Sequence, residues 1–341
     1  MKRRDFLKLA GAVSVAGCAT SAPSKARVVV IGGGFGGATA AKYIRHWDPS
    51  IDVVLIERDT SFVSCPISNL VLAGYSSMQE ITHGYDGLRK HGVQVVHDDA
   101  VAVDAAKKSV RLARGGEISY ERLIVSPGID FNFAEVQGYE DAMKEGRVLH
   151  AWKAGAQTVA LRRQLEEMRD GGVYILSIPT APYRCPPGPY ERICQVAWYL
   201  KTNKPKSKLI VLDANQNIVS KTALFRAAWQ AYPNIDYRAS SKVVKVDPGA
   251  REVTTEFGDR VKYDVINLIP PQRAGAIAVQ ADLVGADKRW CEVDHVTYES
   301  VKAKGIHVIG DSTTGLPVPK SGTIANGMGK ISPDAIVALL N

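Results

Sequence analysis

Hydrophobic residues near the start of the chain form a short continuous run that breaks into glycines and then resumes with helical spacing. The run lies at residues 28–31 and the helical segment at 38–44. Between them, Gly32, Gly34 and Gly37 have the G-x-G-x-x-G spacing, which permits a tight turn, close approach of a pyrophosphate and packing of helix on strand. The pattern predicts a strand, turn and helix that bind a dinucleotide at the helix N-terminus.

The second apolar run ends in an acidic residue. Residues 52–56 predict a strand, and Glu57 follows it roughly twenty residues after the last glycine, where a carboxylate can accept hydrogen bonds from an adenosine ribose. Arg58 opens a polar loop that extends to Asn69 and contains Cys65. In this architecture such a loop passes over the reactive end of the cofactor. Glu57 and Arg58 are therefore predicted to bind the cofactor, and Cys65 is a candidate for chemistry.

Two later strands end in residues suited to the rest of the cofactor. The predicted elements are a strand, a set of hairpins and two buried strands, at residues 93–96, 100–121, 123–125 and 305–309. The first buried strand ends in Ser-Pro-Gly128 and the second in Gly310-Asp311. An aspartate at that strand end can hydrogen-bond a ribityl hydroxyl. Together with the glycine turn, it indicates FAD rather than NAD.

The middle of the chain repeats the strand-helix-strand pattern without the glycines. The predicted elements are a helix, a strand, a helix, a strand and a hairpin region, at residues 151–171, 173–178, 193–200, 209–213 and 243–265. The first turn of this unit has five prolines between Pro179 and Pro189, and their missing N–H groups cannot cradle a pyrophosphate. Asp213 stands where a ribose-binding acid would, but is predicted to cap its strand. We expect no productive binding of NAD(P)H.

These elements predict an α/β protein with two Rossmann-like dinucleotide-binding domains, each of three layers, and inserted β-meanders. Residues 265–271 return the chain to the first domain, and a final helix is predicted from Ser321 to Leu340. The predicted FAD-binding domain comprises residues 26–150 and 272–341. Residues 151–271 form the predicted second domain, which lacks the phosphate-binding glycines.

Residues 1–25 are predicted to be a twin-arginine signal peptide. Arg3 and Arg4 lie in a charged segment before a weakly apolar run that is too short to span a bilayer. The residues before Cys18 resemble a lipoprotein cleavage box, which would leave Cys18 acylated; cleavage nearer Ala22 is the alternative. Either route predicts a periplasmic protein, with a lipid anchor in the first case.

Composition narrows the list of partners. At 341 residues, with 45% hydrophobic residues, the chain is long enough for two domains. Its net charge of +8 lies partly in the leader and not in basic runs with interleaved aromatics, so nucleic acid is not an expected partner. The histidines, including His83, His97 and His150, show no ligand spacing, and no C-x-x-C-H motif is present. We expect no metal site, and any haem belongs to another chain.

Several stretches together resemble a known family. The glycine turn, Ser-Pro-Gly128 and Gly310-Asp311 resemble the pyridine nucleotide-disulfide reductase superfamily. The stretches that begin at Cys65, Arg184 and Asn267 read Cys-Pro-Ile-Ser-Asn, Arg-Cys-Pro-Pro-Gly-Pro-Tyr-Glu and Asn-Leu-Ile-Pro-Pro-Gln-Arg-Ala-Gly. From about residue 26 onwards, the chain resembles the flavoprotein subunit of flavocytochrome c sulfide dehydrogenase.

The resemblance implies roles for two cysteines. In that family the cysteine matching Cys65 carries FAD through an 8α-methyl thioether, and the one matching Cys185 is half of a redox-active disulfide beside the flavin. The other half lies in a C-terminal domain that would follow Asn341, so the chain is expected to be truncated before it and to oxidise sulfide poorly alone. Residues 310–313, Gly-Asp-Ser-Thr, depart from the usual Gly-Asp-Ala-Cys.

Each candidate residue has a simpler alternative. Glu191 is a candidate general base for hydrosulfide, or only a first-turn carboxylate favoured by the helix dipole. Lys320 is a candidate for offsetting charge at the flavin N1 and O2 atoms, or a surface lysine. Cys65 has a structural thiol as its alternative. Cys194 and Cys291 are predicted to be structural, with Cys194 as a substitute disulfide partner in the alternative.

The predicted function is the oxidation of sulfide to sulfur or polysulfide by an FAD-dependent enzyme that passes electrons singly to a c-type cytochrome subunit. Hydrosulfide would attack the disulfide and release a thiolate that passes two electrons to the flavin, as in ordinary thiol-disulfide exchange. The alternatives are a sulfide:quinone reductase-like enzyme and a non-catalytic flavin-binding assembly protein.

Overall fold

The computed structural model describes residues 24–314 and 318–341. The predicted leader up to residue 23, with Cys18, lies outside this part of the chain. The described strands are β1 Ala26–Ile31, β2 Ile51–Ile56, β3 Ser61–Val63, β4 Thr82–Gly84, β5 Gln94–Val96, β6 Ala100–Asp104, β7 Ser109–Leu112, β8 Glu117–Ser119, β9 Arg122–Val125, β10 Ile129–Phe131, β11 Val173–Ile178, β12 Lys208–Asp213, β13 Ile235–Arg238, β14 Val243–Asp247, β15 Glu252–Thr255, β16 Arg260–Lys262, β17 Val265–Leu268, β18 Gln272–Ala274, β19 Cys291–Glu292, β20 Ile306–Val308 and β21 Thr313–Thr314. The described helices are α1 Phe35–Trp47, α2 Ser68–Ala73, α3 Asp86–Lys90, α4 Tyr139–Lys144, α5 Ala156–Glu167, α6 Gly188–Asn203, α7 Thr222–Trp229, α8 Ala276–Gln280 and α9 Gly322–Leu340.

The first parallel sheet has β1 at its centre, in the order β20-β9-β1-β2-β5. Val28 pairs with Val53 of β2 on one side and with Arg122 of β9 on the other. Every residue of β1 except Arg27 is buried, as expected of a central strand in a parallel sheet. The strand, glycine turn and helix α1 follow one another as predicted.

Helices α1 and α9 pack against each other with almost no space between their backbones. A Cβ atom on Gly329 of α9 would lie 2.4 Å from the carbonyl oxygen of Gly36 in α1. The side chain of Ser321 caps α9 by accepting a hydrogen bond from the backbone N–H of Ile324. Helix α9 therefore begins and ends within one residue of its predicted bounds.

A second parallel sheet has the order β13-β12-β11-β17. Strands β11 and β12 match the predicted strands, but α6 begins at Gly188 instead of residue 193 because Pro189 fits the first turn of a helix. The prediction of a helix over 151–171 is too long, since α5 covers only Ala156–Glu167. Residues 150–154 instead form an irregular segment, here called the crossing segment, in which Ala151 has a φ angle of +43°.

Two antiparallel meanders confirm the predicted hairpins. One consists of β6, β7 and β8, and the other of β14, β15 and β16. Strand β18 pairs antiparallel with β10, with Ala274 opposite Ile129, so the chain returns to the first part of the molecule as predicted. The fold is thus mixed α/β, with two parallel sheets and inserted meanders. Among the described residues, no helix combines the length and the apolar character needed to cross a membrane.

Candidate active site

A cavity of about 1170 Å³ lies along the carboxyl ends of the first parallel sheet. Its walls include Gly32 after β1, Glu57 after β2, Gly128 after β9 and Asp311 after β20. Other parts of the wall come from the polar loop of residues 58–69, from the crossing segment, and from residues 184–188, here called the second cysteine loop. Ligands of open α/β sheets bind at this edge, where the strands end.

The glycine turn brings backbone N–H groups to the cavity. Gly32 has a φ angle of +95°, and a Cβ atom there would lie 2.3 Å from the carbonyl oxygen of Ser126. Gly34 is the N-cap of α1 and provides no side-chain cap, so the first N–H groups of the helix remain available to an anion. A Cβ atom on Gly37 would lie 1.9 Å from the Gly32 carbonyl oxygen, so Gly37 provides the helix-on-strand packing and not the cavity wall. This cradle fits a pyrophosphate.

Glu57 is held by the glycine turn. Its Oε2 accepts a hydrogen bond of 2.6 Å from the Gly33 N–H, and its Oε1 accepts one of 3.0 Å from the Asp59 N–H. Arg58 also lines the cavity and forms an ion pair of 3.2 Å with Asp99. Tyr85 was missed by the sequence analysis. Its hydroxyl donates to the Gly33 carbonyl oxygen at 3.3 Å, and its ring occupies the space that a Gly33 side chain would need.

The carboxylate of Asp311 has a buried oxygen that is suited to bind a polar group of a ligand. Its Oδ1 is buried without a hydrogen-bond partner among the described residues. Burial raises the pKa of this carboxyl group, while the charges of Arg184 and Lys320 oppose that change. Gly128 and Gly310 also line the cavity. A buried carboxylate oxygen facing a cavity with a pyrophosphate cradle fits a ribityl hydroxyl, so these residues fit FAD.

Cys65 and Cys185 both line this cavity as free thiols. The Sγ of Cys65 accepts a hydrogen bond of 3.3 Å from the N–H of Ala154 in the crossing segment. Cys185 has a φ angle of +59°, and its N–H donates to the Lys320 carbonyl oxygen at 2.7 Å. Burial and the Glu191 carboxylate raise the pKa of Cys185 to about 11, against an opposing effect of Arg184. The structure therefore places both cysteines where the sequence predicted chemistry.

Glu191 and Lys320 lie outside the cavity wall. Glu191 is exposed in the first turn of α6, where it matches the simpler alternative of a dipole-favoured carboxylate. The Lys320 ammonium donates to the carbonyl oxygens of Asp311 at 3.0 Å and Thr313 at 2.6 Å, and lies 3.6 Å from the centre of the Trp290 ring. It is therefore not the surface lysine of the simpler alternative. Burial lowers its pKa to about 8.

Cys194, Cys291 and His150 do not line this cavity. Cys291 is fully buried, and burial raises its pKa to about 12. Cys194 is half-buried on α6, and burial raises the pKa of its thiol. His150 is a buried ring whose Nδ1 accepts the N–H of Trp152, and burial lowers its pKa to about 3. Within residues 24–314 and 318–341, no group of His, Cys, Asp and Glu side chains could hold a metal ion.

Arg192 joins the three stretches that carry the family resemblance, although the sequence analysis did not single it out. Its Nε donates to Asn69 Oδ1 at 2.9 Å, and its Nη1 donates to Asn267 Oδ1 at 2.7 Å. Its guanidinium also donates to the His150 and Ala151 carbonyl oxygens at 3.3 and 3.0 Å. The side chain is 1% exposed and lines the cavity. The sequence feature that could have indicated this network is Asn267, a polar amide within an otherwise apolar strand.

Asp213 is fully engaged by the protein itself. Its Oδ2 accepts hydrogen bonds of 2.8 Å from the hydroxyls of Tyr190 and Tyr237, and its Oδ1 accepts two from Asn215. The side chain has no exposed surface. This arrangement agrees with the predicted structural role of Asp213 and leaves it no room for a ribose.

Known proteins similar to this chain include sulfide-oxidising flavoproteins. The profile of the central part of the sulfide dehydrogenase (flavocytochrome c) flavoprotein chain matches residues 158–270, and that of pyridine nucleotide-disulphide oxidoreductases matches residues 26–165. The sulfide dehydrogenase flavoprotein chain of Chlorobaculum thiosulfatiphilum is 67% identical over 45 residues, which cover 13% of this chain and 94% of that relative. The chain belongs to this flavocytochrome c flavoprotein family. The suggested resemblance is thereby confirmed, and the chain is an FAD-dependent oxidoreductase of a sulfide-oxidising family.

More distant relatives cover most of the chain. Mouse mitochondrial sulfide:quinone oxidoreductase is 24% identical over 316 residues, which cover 89% of this chain and 69% of that relative. The structure of the sulfide:quinone oxidoreductase from Aquifex aeolicus has a TM-score of 0.80 at 20% identity and covers 92% of this chain and 77% of that one. This likeness confirms the disulfide-reductase-like fold.

Proposed function

We propose that this protein is a periplasmic sulfide dehydrogenase that passes electrons to a c-type cytochrome. The observation that carries the proposal is the presence of the Cys185 thiol in the cavity whose glycine turn and Asp311 fit FAD. The short but high identity to a flavocytochrome c flavoprotein chain supports the cytochrome as acceptor.

Cys185 supplies the sulfur chemistry in this proposal. As one half of a disulfide, it would be exchanged by hydrosulfide: a new sulfur–sulfur bond forms, the old one breaks, and the displaced sulfur leaves as a thiolate. Bound FAD would accept the electron pair and pass it to the cytochrome one electron at a time. Because Glu191 is exposed and outside the cavity wall, its predicted role as general base requires a movement of α6 or a relay.

We also propose that Cys65 carries the FAD covalently. Its sulfur lies in the cavity wall, is half-buried, and is oriented by the Ala154 N–H. A thioether at this position would retain the cofactor outside the cytoplasm. Export through the twin-arginine leader, with or without a lipid on Cys18, belongs to the same proposal, since that route carries folded proteins.

Quinone is the second candidate acceptor, because the relatives that match most of the chain are sulfide:quinone oxidoreductases. The deciding experiment supplies sulfide to the purified flavoprotein and follows the reduction of cytochrome c and of a soluble quinone in separate assays. Faster reduction of cytochrome c, abolished by Cys185→Ser, supports the proposal. Faster quinone reduction favours the second candidate.

A further inference from the structure

The cations that line the cavity differ in whether a carboxylate neutralises them. Arg58 forms an ion pair with Asp99 at 3.2 Å, and Lys153 forms one with Asp130 at 3.2 Å. Arg184 and Arg192 line the cavity beside Cys185, and neither forms an ion pair within the described residues. Neither guanidinium therefore has a carboxylate of the described part of the chain within ion-pair distance, although the Glu191 and Asp311 charges also act on the Cys185 end of the cavity.

Arg192 carries this charge deep in the protein. Its guanidinium is fully buried, stacks 4.9 Å from the centre of the Trp152 ring, and bonds only to neutral amide and carbonyl oxygens among the described residues. A buried cation without an opposite charge is costly, because the protein interior screens it far less than water does. Its charge therefore favours an anion bound close to it, against the opposing charges of Glu191 and Asp311.

Arg184 is the cation placed to touch such an anion. Its Nη2 donates to the Trp152 carbonyl oxygen and its backbone N–H to Gln272 Oε1. Its Nε and Nη1 have no hydrogen-bond partner among the described residues, while the side chain lines the cavity next to Cys185. The raised pKa of Cys185 keeps its thiol uncharged near neutral pH, so the thiol does not consume the positive charge.

We propose that Arg184 and Arg192 form an anion subsite beside Cys185, in which Arg184 contacts a small monovalent sulfur anion such as hydrosulfide. Arg192 does not contact the anion: it is a positioning residue that also contributes its positive charge. The identity of the ligand as a sulfur anion rests on the proposed function. The recognition chemistry, a guanidinium donating charge-assisted hydrogen bonds to an anion, is independent of the electron acceptor.

Two alkylating probes test the subsite without sulfide turnover. Iodoacetate and iodoacetamide both transfer their methylene carbon to a thiolate with loss of iodide, but only iodoacetate is an anion. Both alkylation rates are proportional to the fraction of Cys185 present as thiolate, so this fraction cancels in the ratio of the two rates. This ratio is measured on the reduced holoprotein by mass spectrometry of the Cys185 peptide, and again on the same protein unfolded in urea.

The proposal predicts that the iodoacetate-to-iodoacetamide ratio is about tenfold higher in the folded protein than in urea, as one charge-assisted hydrogen bond would give. Arg184→Gln should remove most of that preference, and Arg184→Lys should keep part of it. Lys153→Gln is the matched control, because Lys153 lines the same cavity but is paired with Asp130. That variant should leave the ratio at Cys185 unchanged.

Three results would overturn the subsite: a folded ratio no higher than in urea, an unchanged ratio in Arg184→Gln, or no modification of Cys185 by either reagent in the folded protein. The experiment also separates this inference from the proposed function. A high ratio in a protein that does not oxidise sulfide would retain the subsite and reject the function. Sulfide turnover with no anion preference at Cys185 would retain the function and reject the subsite.

Discussion

At the scale of single residues, Cys65 is the position where the cofactor would be attached. The thiol borders the cavity, and its sulfur is oriented by a backbone N–H. We predict that FAD remains with the wild-type protein after acid precipitation, because a thioether survives unfolding, and that Cys65→Ser releases it. Flavin absorbance of the supernatant and the mass of the Cys65 peptide measure the outcome. Free flavin from the wild-type protein would contradict covalent attachment.

The protonation of Cys185 gives a second prediction at this scale. Its pKa of about 11 means that the thiol stays protonated through neutral pH, so its reaction with iodoacetamide should rise about tenfold per pH unit up to that value. Glu191 contributes to the shift, and Glu191→Gln should therefore move the rate profile to lower pH. Because Glu191 is exposed, the displacement should shrink as salt is added.

The control for this profile is Glu167→Gln, which removes an exposed helical carboxylate from α5 instead of α6. It should leave the Cys185 profile in place. A profile centred near the ordinary pKa of a cysteine would show that Cys185 is far more hydrated than the structure indicates.

At the scale of elements, the turn between β11 and α6 gives a prediction about nicotinamide cofactors. Its prolines lack N–H donors, and the Ala181 N–H that is present already donates to Asn215 Oδ1 at 3.0 Å. The hydroxyls of Tyr190 and Tyr237 donate hydrogen bonds to the carboxylate of Asp213. We predict that micromolar NADH or NADPH does not bleach the flavin under anaerobic conditions. Dithionite serves as the positive control, and rapid bleaching by either nucleotide would refute the prediction.

The elements also show which parts of the fold a sequence can predict. Strand β1, the glycine turn and α1 form one local unit, and each of their residues supports the same structure, so the prediction holds there. The helix over 151–171 was predicted from apolar spacing alone. Residues 151–154 are not helical, and the Ala151 carbonyl oxygen bonds to Arg192 instead of to a helical N–H group.

At the scale of the whole molecule, Arg192 connects distant parts of the chain. Its partners Asn69 and Asn267 are 123 and 75 residues away in sequence. The amide of Asn267 in an apolar strand marks an unusual position, but no local pattern identifies its partner, because the contact exists only when α2, α6 and β17 have come together. The same reason explains why Tyr85, 52 residues from Gly33, was missed. The residues that could be predicted lie next to strand ends, and the missed ones are held by tertiary contacts.

We predict that Arg192→Met destabilises the folded protein by about 2–4 kcal/mol, because it leaves buried amide and carbonyl groups without a partner. Urea unfolding of the holoprotein, followed by tryptophan fluorescence, measures the loss as a lower midpoint. Arg163→Met is the matched control, since Arg163 is an exposed residue of α5 whose ion pair with Glu167 is worth little. Equal midpoints for the two variants would mean that the buried network contributes little.

The crossing segment touches both cysteine loops. Its Ala154 N–H reaches the Cys65 sulfur, and the Trp152 indole donates to the Arg184 carbonyl oxygen at 3.2 Å, one residue before Cys185. These five residues therefore connect the two loops that hold Cys65 and Cys185. We expect that a chemical change at one sulfur that displaces its loop also shifts the loop of the other, which would couple attachment of the cofactor to the redox state of the thiol.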